Sequence, residues 1–256
     1  MTSTIFPDLQ GKSVFISGGG SGIGASLTEG FLAQGARVAF CQRSDASGFC
    51  DEMAEKHGTR PLFLSCDVTD IAAYKAVLGQ AAEAHGDIQV LVNNAAWDNR
   101  HRLEDLDPDS WDHMMNVNLR HHYFAIQTVA PAMKAAGQGA IVNYSSISYM
   151  MGLGDYAAYV SAKSAINGLT RGLARELGPS GIRVNALMPG WVFTERQEEL
   201  WATPEGVKAH LARQCLPEYK IPPEDMVDPT LFLASDASRA MTGQALVVDG
   251  GVVVSG

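Results

Sequence analysis

At 256 residues the chain is long enough to bury a substantial core, and its 46% hydrophobic content reads as globular. A formal net charge of -9 argues against a sequence-independent grip on nucleic-acid phosphates or on an anionic membrane surface. Small molecules and copies of the chain itself are the expected partners.

The first residues, MTSTIFPDLQGK, have neither a basic start nor an apolar core of signal-peptide length. No apolar run approaches a membrane span, so a soluble cytoplasmic protein is expected. Cys41, Cys50, Cys66 and Cys215 form no C-x-x-C pair, which suits reduced thiols better than a disulfide framework. Short apolar runs rich in β-branched residues begin with SVFIS at 13–17 and continue with RVAF at 37–40, LFLSC at 62–66 and VLVNNA at 90–95. They end with AIVNYSS at 140–146, IRVNALM at 182–188 and ALVVDGG at 245–251. Seven runs predict seven strands. They are apolar throughout rather than alternating, and helix-length segments separate them, as in a parallel sheet covered on both faces. The expectation is one α/β domain over 1–256, doubly wound in the Rossmann manner, with no linker or repeat.

Between the first and second strands, SGGGSGIG at 17–24 opens a helix. Glycines there let the backbone turn sharply and approach a pyrophosphate held at the helix N-terminus, although G-x-G-x-x-G is not matched and a mere tight turn is the alternative. At the end of the second strand, where an acidic residue would bind a ribose 2′-hydroxyl, stand Gln42, Arg43 and Ser44. A guanidinium and a hydroxyl there suit a 2′-phosphate, so NADP is favoured and NAD possible; a solvated surface Arg43 is the alternative. His121 and His122, adjacent in a helix, should point to different sides as ordinary helix residues, and no metal site is expected.

The clearest helix is 155–177, with Asp155 as N-cap, a buried stripe of Ala162, Ile166, Leu169, Leu173 and Leu177, and Gly178-Pro179 as its stop. Tyr159 and Lys163 lie one above the other on it. Such a pair is common by chance, but Ser145-Ser146 close the fifth strand just before it, where this fold gathers ligand groups. An adjacent ammonium and a cationic nicotinamide would favour the phenolate, making the pair a plausible proton acceptor. After the sixth strand, Pro189-Gly190 leads into mixed-polarity residues with prolines at 204, 217 and 222, read as short helices.

These motifs together resemble the short-chain dehydrogenase/reductase family over essentially the whole chain: Ser17 to Gly24, Asp67-Val68, Asn93-Asn94-Ala95-Ala96, Asn116-Val117-Asn118, Ser146, Tyr159 to Lys163 and Pro189-Gly190. Ser17 and Ala96 stand where threonine and glycine are usual, both small-for-small changes. The resemblance implies Tyr159 as general base, with Lys163 holding the nicotinamide ribose and lowering the phenol pKa. Ser146, thirteen before Tyr159, would orient the reacting oxygen, and Asn118 would keep a relay water; Tyr156 is the rival phenol but has Val160 where the lysine is needed.

It likewise implies cofactor contacts at Gly18, Ser21, Gly22, Ile23 and Gly24, at Asp67 and Val68 for adenine, at Asn93 and Ala95 for the adenosine side, and at Pro189, Gly190, Val192 and Thr194 for the nicotinamide. Neither Gly20 nor Ser21 supplies the second basic residue often seen in NADP-dependent members. A homotetramer is expected from the family, with the apolar Gly250-Gly251-Val252-Val253-Val254 as candidate interface.

For the substrate, Trp97, Asp98, Asn99, Arg100, Ser148, Trp191, Glu195, Arg196 and Gln197 are placed to line a pocket with Ser146 and Tyr159, under a lid at 191–222. Aromatic faces with many amide and charged groups suit a small-molecule sugar better than a steroid or acyl chain, while Asp98, Glu195 and Glu198 could each be a solvated loop charge. The runs around Asn118 to His121 and Thr194 to Glu198 are also similar to the bacterial pentose and hexose 1-dehydrogenases of this family. That similarity implies oxidation of a cyclic aldose at its anomeric hydroxyl to a lactone. The alternatives are a secondary alcohol of a sugar acid or polyol, a ketoacyl-type reductase, and a non-catalytic nucleotide-binding regulator.

Overall fold

The computed structural model describes residues 4–254. Seven strands lie where the apolar runs place them: β1 (Ser13–Ser17), β2 (Arg37–Gln42), β3 (Leu62–Ser65), β4 (Val90–Asn93), β5 (Gly139–Tyr144), β6 (Ile182–Pro189) and β7 (Ala245–Val248). They form one parallel sheet in the order β3-β2-β1-β4-β5-β6-β7. The chain reverses its direction of winding between β1 and β4, so the carboxyl ends of those strands open a crevice at the switch point.

The helices are α1 (Gly22–Ala33), α2 (Ser47–His57), α3 (Ile71–His85), α4 (Pro108–Met115), α5 (His121–Ala136), α6 (Ser148–Met151), α7 (Ala157–Leu177), α8 (Glu195–Trp201), α9 (Pro204–Leu211) and α10 (Val227–Ala234). Their starts follow from local chemistry. Asp70 accepts from Ala73 N to cap α3, Asp107 from Ser110 N to cap α4, and Thr194 and Thr203 cap α8 and α9. Two apolar layers flank the sheet. One, with Leu27, Phe31, Val92, Val142 and Leu231, lies under α1 and α10; the other, with Phe15, Leu78, Leu91, Ile126 and Ile141, under α3 and α5.

Three expectations are corrected. Asp155 does not cap α7: its φ is +68, left-handed, and the N-cap is Tyr156, which makes no side-chain cap bond. The buried face of α7 is rotated toward Asn167, Thr170 and Ala174, with Leu169 and Leu173 only half-buried, because Lys163 and Asn167 must face β5. His121 and His122 are both fully buried with ring centres 4.4 Å apart, following a π turn over Asn116–Arg120 that widens the helix just before them. Burial lowers both: His121 to about 3 and His122 well below its ordinary value, so both stay neutral.

Candidate active site

The crevice at the strand ends is a cleft of about 1070 Å³. Its floor at one end is the turn from β1 into α1, with Gly18, Ser21, Gly22, Ile23 and Gly24 all on the wall. Gly22 has φ +50, and a Cβ there would stand 3.2 Å from Thr194 Cγ2, so the turn leaves no room for a side chain between it and the segment opposite. At Gly24 a Cβ would meet the Gly18 carbonyl oxygen. Ser21, the N-cap of α1, makes no side-chain cap bond, which leaves the first-turn N–H groups open toward the cleft. A bare backbone cradle at the positive end of a 12-residue helix fits a diphosphate.

The adenosine end is built by β2 and β3. Gln42 Oε1 accepts from Gly20 N at 2.9 Å, and its Nε2 donates to Ser44 O and Ser44 Oγ at 3.1 and 3.2 Å. Gln42 and Ser44 thus brace the glycine turn. Arg43 is left free to reach outward: its side chain is 73% exposed and its Nη1 lies 3.8 Å from Asp67 Oδ2. Hydrogen bonds from Thr69 and the Arg43 charge outweigh the effect of burial and hold the Asp67 carboxyl below its usual range. Val68, Ala95, Pro189, Gly190, Val192 and Thr194 also line the cleft.

Asn93 does not. Its amide is buried in the sheet, donating to Asn143 Oδ1 at 2.9 Å, because the side chain at the end of β4 turns toward β5.

The two serines after β5 have different neighbours. Ser145 Oγ donates to Lys163 O at 2.7 Å and accepts from Asn167 Nδ2 at 3.0 Å, so it is fully engaged in fixing α7. Ser146 lies on the cleft, accepts from Ser148 N at 3.1 Å and acts to lower the Tyr159 phenol. Lys163 is buried; its Nζ donates to Tyr144 O at 2.8 Å and sits 5.5 Å from the centre of the Tyr159 ring.

The electrostatics differ from the sequence-based expectation that Lys163 lowers the Tyr159 phenol. Burial raises that phenol well above its ordinary value, with Asp98 adding to the rise and the Ser146 hydroxyl opposing it. Burial also brings Lys163 down to about 7, against a smaller upward pull from Asp98. In the protein alone desolvation therefore outweighs the ammonium. Asn118 is held by the chain. Its amide is fully buried, accepting from Trp97 N at 2.9 Å and donating to Trp97 O and Met114 O at 2.9 and 3.0 Å, which commits both of its N–H groups.

At the other end, Trp97, Arg100, Ser148, Trp191, Arg196 and Gln197 reach the cleft, whereas Asn99 is exposed on the loop and lies outside it. Trp191 stacks on Phe193 with ring centres 5.0 Å apart, and Trp201 takes the Arg100 guanidinium on its face at 4.2 Å. Both indoles border the cleft.

Tyr156, read in the sequence only as a rival to Tyr159, lines the cleft itself, and His210 and Arg213 were missed. Tyr156 stacks on Tyr159 at 5.8 Å, and its position three before Tyr159 on one helix could have shown it. His210 meets Trp191 edge-on at 5.2 Å, and Arg213 joins it from the turn after α9; no local signal marked either. Among the described residues no His, Cys, Asp and Glu cluster could hold a metal ion, and no helix is long and apolar enough to cross a membrane.

The dinucleotide cradle, the Tyr–Lys–Ser group and the polar end can be set beside known proteins. The family model described as Enoyl-(Acyl carrier protein) reductase matches residues 18–253. A candidate galactose dehydrogenase of Rhizobium meliloti (strain 1021) is 47% identical over 254 residues, covering 98% of this chain and 99% of that one. The D-xylose 1-dehydrogenase of Caulobacter vibrioides is 48% identical over 253 residues with the same coverage. Among solved structures, a candidate NAD(P) dependent gluconate 5-dehydrogenase from Beutenbergia cavernae, with bound NADP, superposes with a TM-score of 0.90 at 36% identity, covering 97% of this chain and 99% of that one. The chain is a dehydrogenase of the NAD(P)-binding short-chain dehydrogenase/reductase family.

Proposed function

We infer that the chain oxidises the anomeric hydroxyl of a cyclic aldose, a pentose, hexose or deoxyhexose, to the aldonolactone. The observation that carries this reading is the lining of the cleft beyond Tyr159. The aromatic rings of Trp191, Trp201 and Tyr156 line this end together with Asp98, Arg100, Gln197 and His210, a combination that suits sugar C–H faces and hydroxyls and would leave an acyl chain against unpaired polar groups. The names of the two relatives at 47% and 48% identity point the same way.

Bound NAD(P) supplies the hydride acceptor, at its nicotinamide ring. Tyr159 takes the C1 hydroxyl proton at its phenolic oxygen as C1 loses hydride and the C1–O bond becomes a carbonyl. Ser146 Oγ orients that oxygen. Lys163, pinned by Tyr144 O, has its remaining N–H donors available for ribose hydroxyls. Asn118 acts through Trp97, holding the loop that bears Asp98 and Arg100. Residues 191–222 form the lid over the substrate within a single domain. A cytoplasmic homotetramer that prefers NADP completes the reading, the preference resting on Arg43.

A second reading, oxidation of a secondary alcohol on a sugar acid, draws on Arg100, Arg196 and Arg213 around the cleft and on the gluconate 5-dehydrogenase likeness. Initial rates across neutral aldoses, aldonates and polyols with both cofactors separate the two. Aldose turnover that disappears in Tyr159→Phe, with cofactor binding kept, is expected; inert aldoses beside an active aldonate or polyol would sink the first reading.

A further inference from the structure

Asp98 joins the 191–222 segment to the loop after β4. Gln197 Nε2 donates to Asp98 Oδ2 at 2.7 Å, Gln197 Oε1 accepts from Trp191 Nε1 at 3.0 Å, and Gln197 N donates to Thr194 Oγ1 at 3.3 Å. One carboxylate oxygen is therefore committed to the chain. The half-buried side chain still borders the cleft, and its charge bears on Tyr156, Tyr159 and Lys163 alike.

We propose that Asp98 is a specificity-determining residue that admits neutral polyhydroxylated substrates and turns away those bearing a carboxylate, an inference that rests on the sugar-oxidising reading. A substrate whose reacting hydroxyl meets Tyr159 brings its other groups into the field of Asp98. Hydroxyls donate to a carboxylate; a second carboxylate cannot donate and is repelled. Arg100 and Arg213 line the same cleft and bear on Tyr156, whereas Asp98 is the charged side chain that bears on Tyr159 and Lys163. Arg100 lies over Trp201 and, at 5.8 Å, over Tyr156, while Arg213 bears on Tyr156 and His210. Glu195 and Arg196, adjacent at the start of α8, are exposed and of opposite sign. The neutral lactone would leave such a site, and the aldonate anion formed when it opens in water would return poorly.

The test is kcat/KM for D-galactose and for D-galacturonate, the same ring with a carboxylate at C6, in the wild type and Asp98→Asn. Asparagine keeps an acceptor for Gln197 and removes the charge. The galactose-to-galacturonate ratio should fall about tenfold, the effect of one charge pair across a partly solvated cleft; an unchanged ratio overturns the proposal. Gln197→Leu breaks the link and keeps the charge; because Gln197 also lines the cleft, kcat/KM should fall for both substrates while their ratio stays that of the wild type. An equal fall in the ratio there would assign selectivity to the link and overturn the proposal too.

The pH profile supplies a second readout. Oxidation needs the phenolate, so kcat/KM rises with pH through the Tyr159 titration. Asp98 raises that phenol, hence Asp98→Asn should move the rising limb to lower pH, and an unmoved limb counts against the charge acting at all. A wild type inert toward every neutral aldose defeats the sugar reading instead. The limb, measured with whichever alcohol does turn over, then decides whether Asp98 acts.

Discussion

Arg43→Ala tests how the cleft chooses between NADP and NAD. A guanidinium on a phosphate forms charge-assisted hydrogen bonds, which contribute about 1.5–3 kcal/mol. Solvent screening lowers that for a side chain 73% exposed, so about 1–2 kcal/mol is expected, or roughly 5- to 30-fold in affinity. Asp67 adds in the same direction. With Arg43 present, its Nη1 lies 3.8 Å from Asp67 Oδ2; without it, a carboxylate held ionised faces the 2′-phosphate unneutralised. For NAD the freed carboxylate is an acceptor for the 2′-hydroxyl, so its affinity should hold or improve. Fluorescence titration with NADPH and NADH, backed by KM for each oxidised cofactor, reads both effects. Equal weakening of the two, or of neither, would refute the assignment of Arg43 to the 2′ position.

Asn118→Ala removes three buried hydrogen bonds and orphans the Trp97 N–H and C=O, costing about 2–4 kcal/mol and roughly 5–15 °C in Tm. Sugar KM should rise with it as the Trp97 loop loosens; unchanged melting with turnover alone lost would instead favour a proton-relay role. Gly24→Ala drives a Cβ into the Gly18 carbonyl, and more than tenfold loss of both cofactors is expected by calorimetric titration. Gly172→Ala, in α7 with nothing within 4 Å of the added carbon, is the contrasting case and should stabilise by about 0.5–1 kcal/mol. Wild-type cofactor affinity in Gly24→Ala would show that the turn is not the cradle.

The strands were legible because burial on both faces of a parallel sheet demands uninterrupted apolar runs, and turn residues bound each of them. The Tyr159–Lys163 pair was legible for a related reason: helical spacing fixes a shared face whatever the rest of the fold does. Side-chain direction at element ends was not. Asn93 and Asn118 sit beside the cleft in the chain, yet their amides serve neighbouring strands and loops, a choice made by tertiary partners at Asn143 and Trp97. The π turn at Asn116–Arg120, which turns His121 and His122 inward together, leaves no mark in composition. His210 and Arg213 reach the cleft only because α8 and α9 fold back over it, a tertiary fact with no local periodicity behind it.

The route that joins the two halves of the cleft bears on how the protein is made. The glycine turn follows β1 near the amino terminus, whereas Pro189-Gly190 ends β6 and is held by Gly190 N donating to Val248 O at 2.9 Å in β7. Between them every pairing is parallel, and the path runs from β1 through β4 and β5 to β6. Loop closure for such non-local contacts comes before their stabilisation, which slows folding. A nascent chain still lacking β7 can form the diphosphate turn but cannot fix the wall across from it. A dinucleotide held by both walls thus requires β6 and β7 to have paired, so a ligand can act as a folding aid only after that pairing has formed.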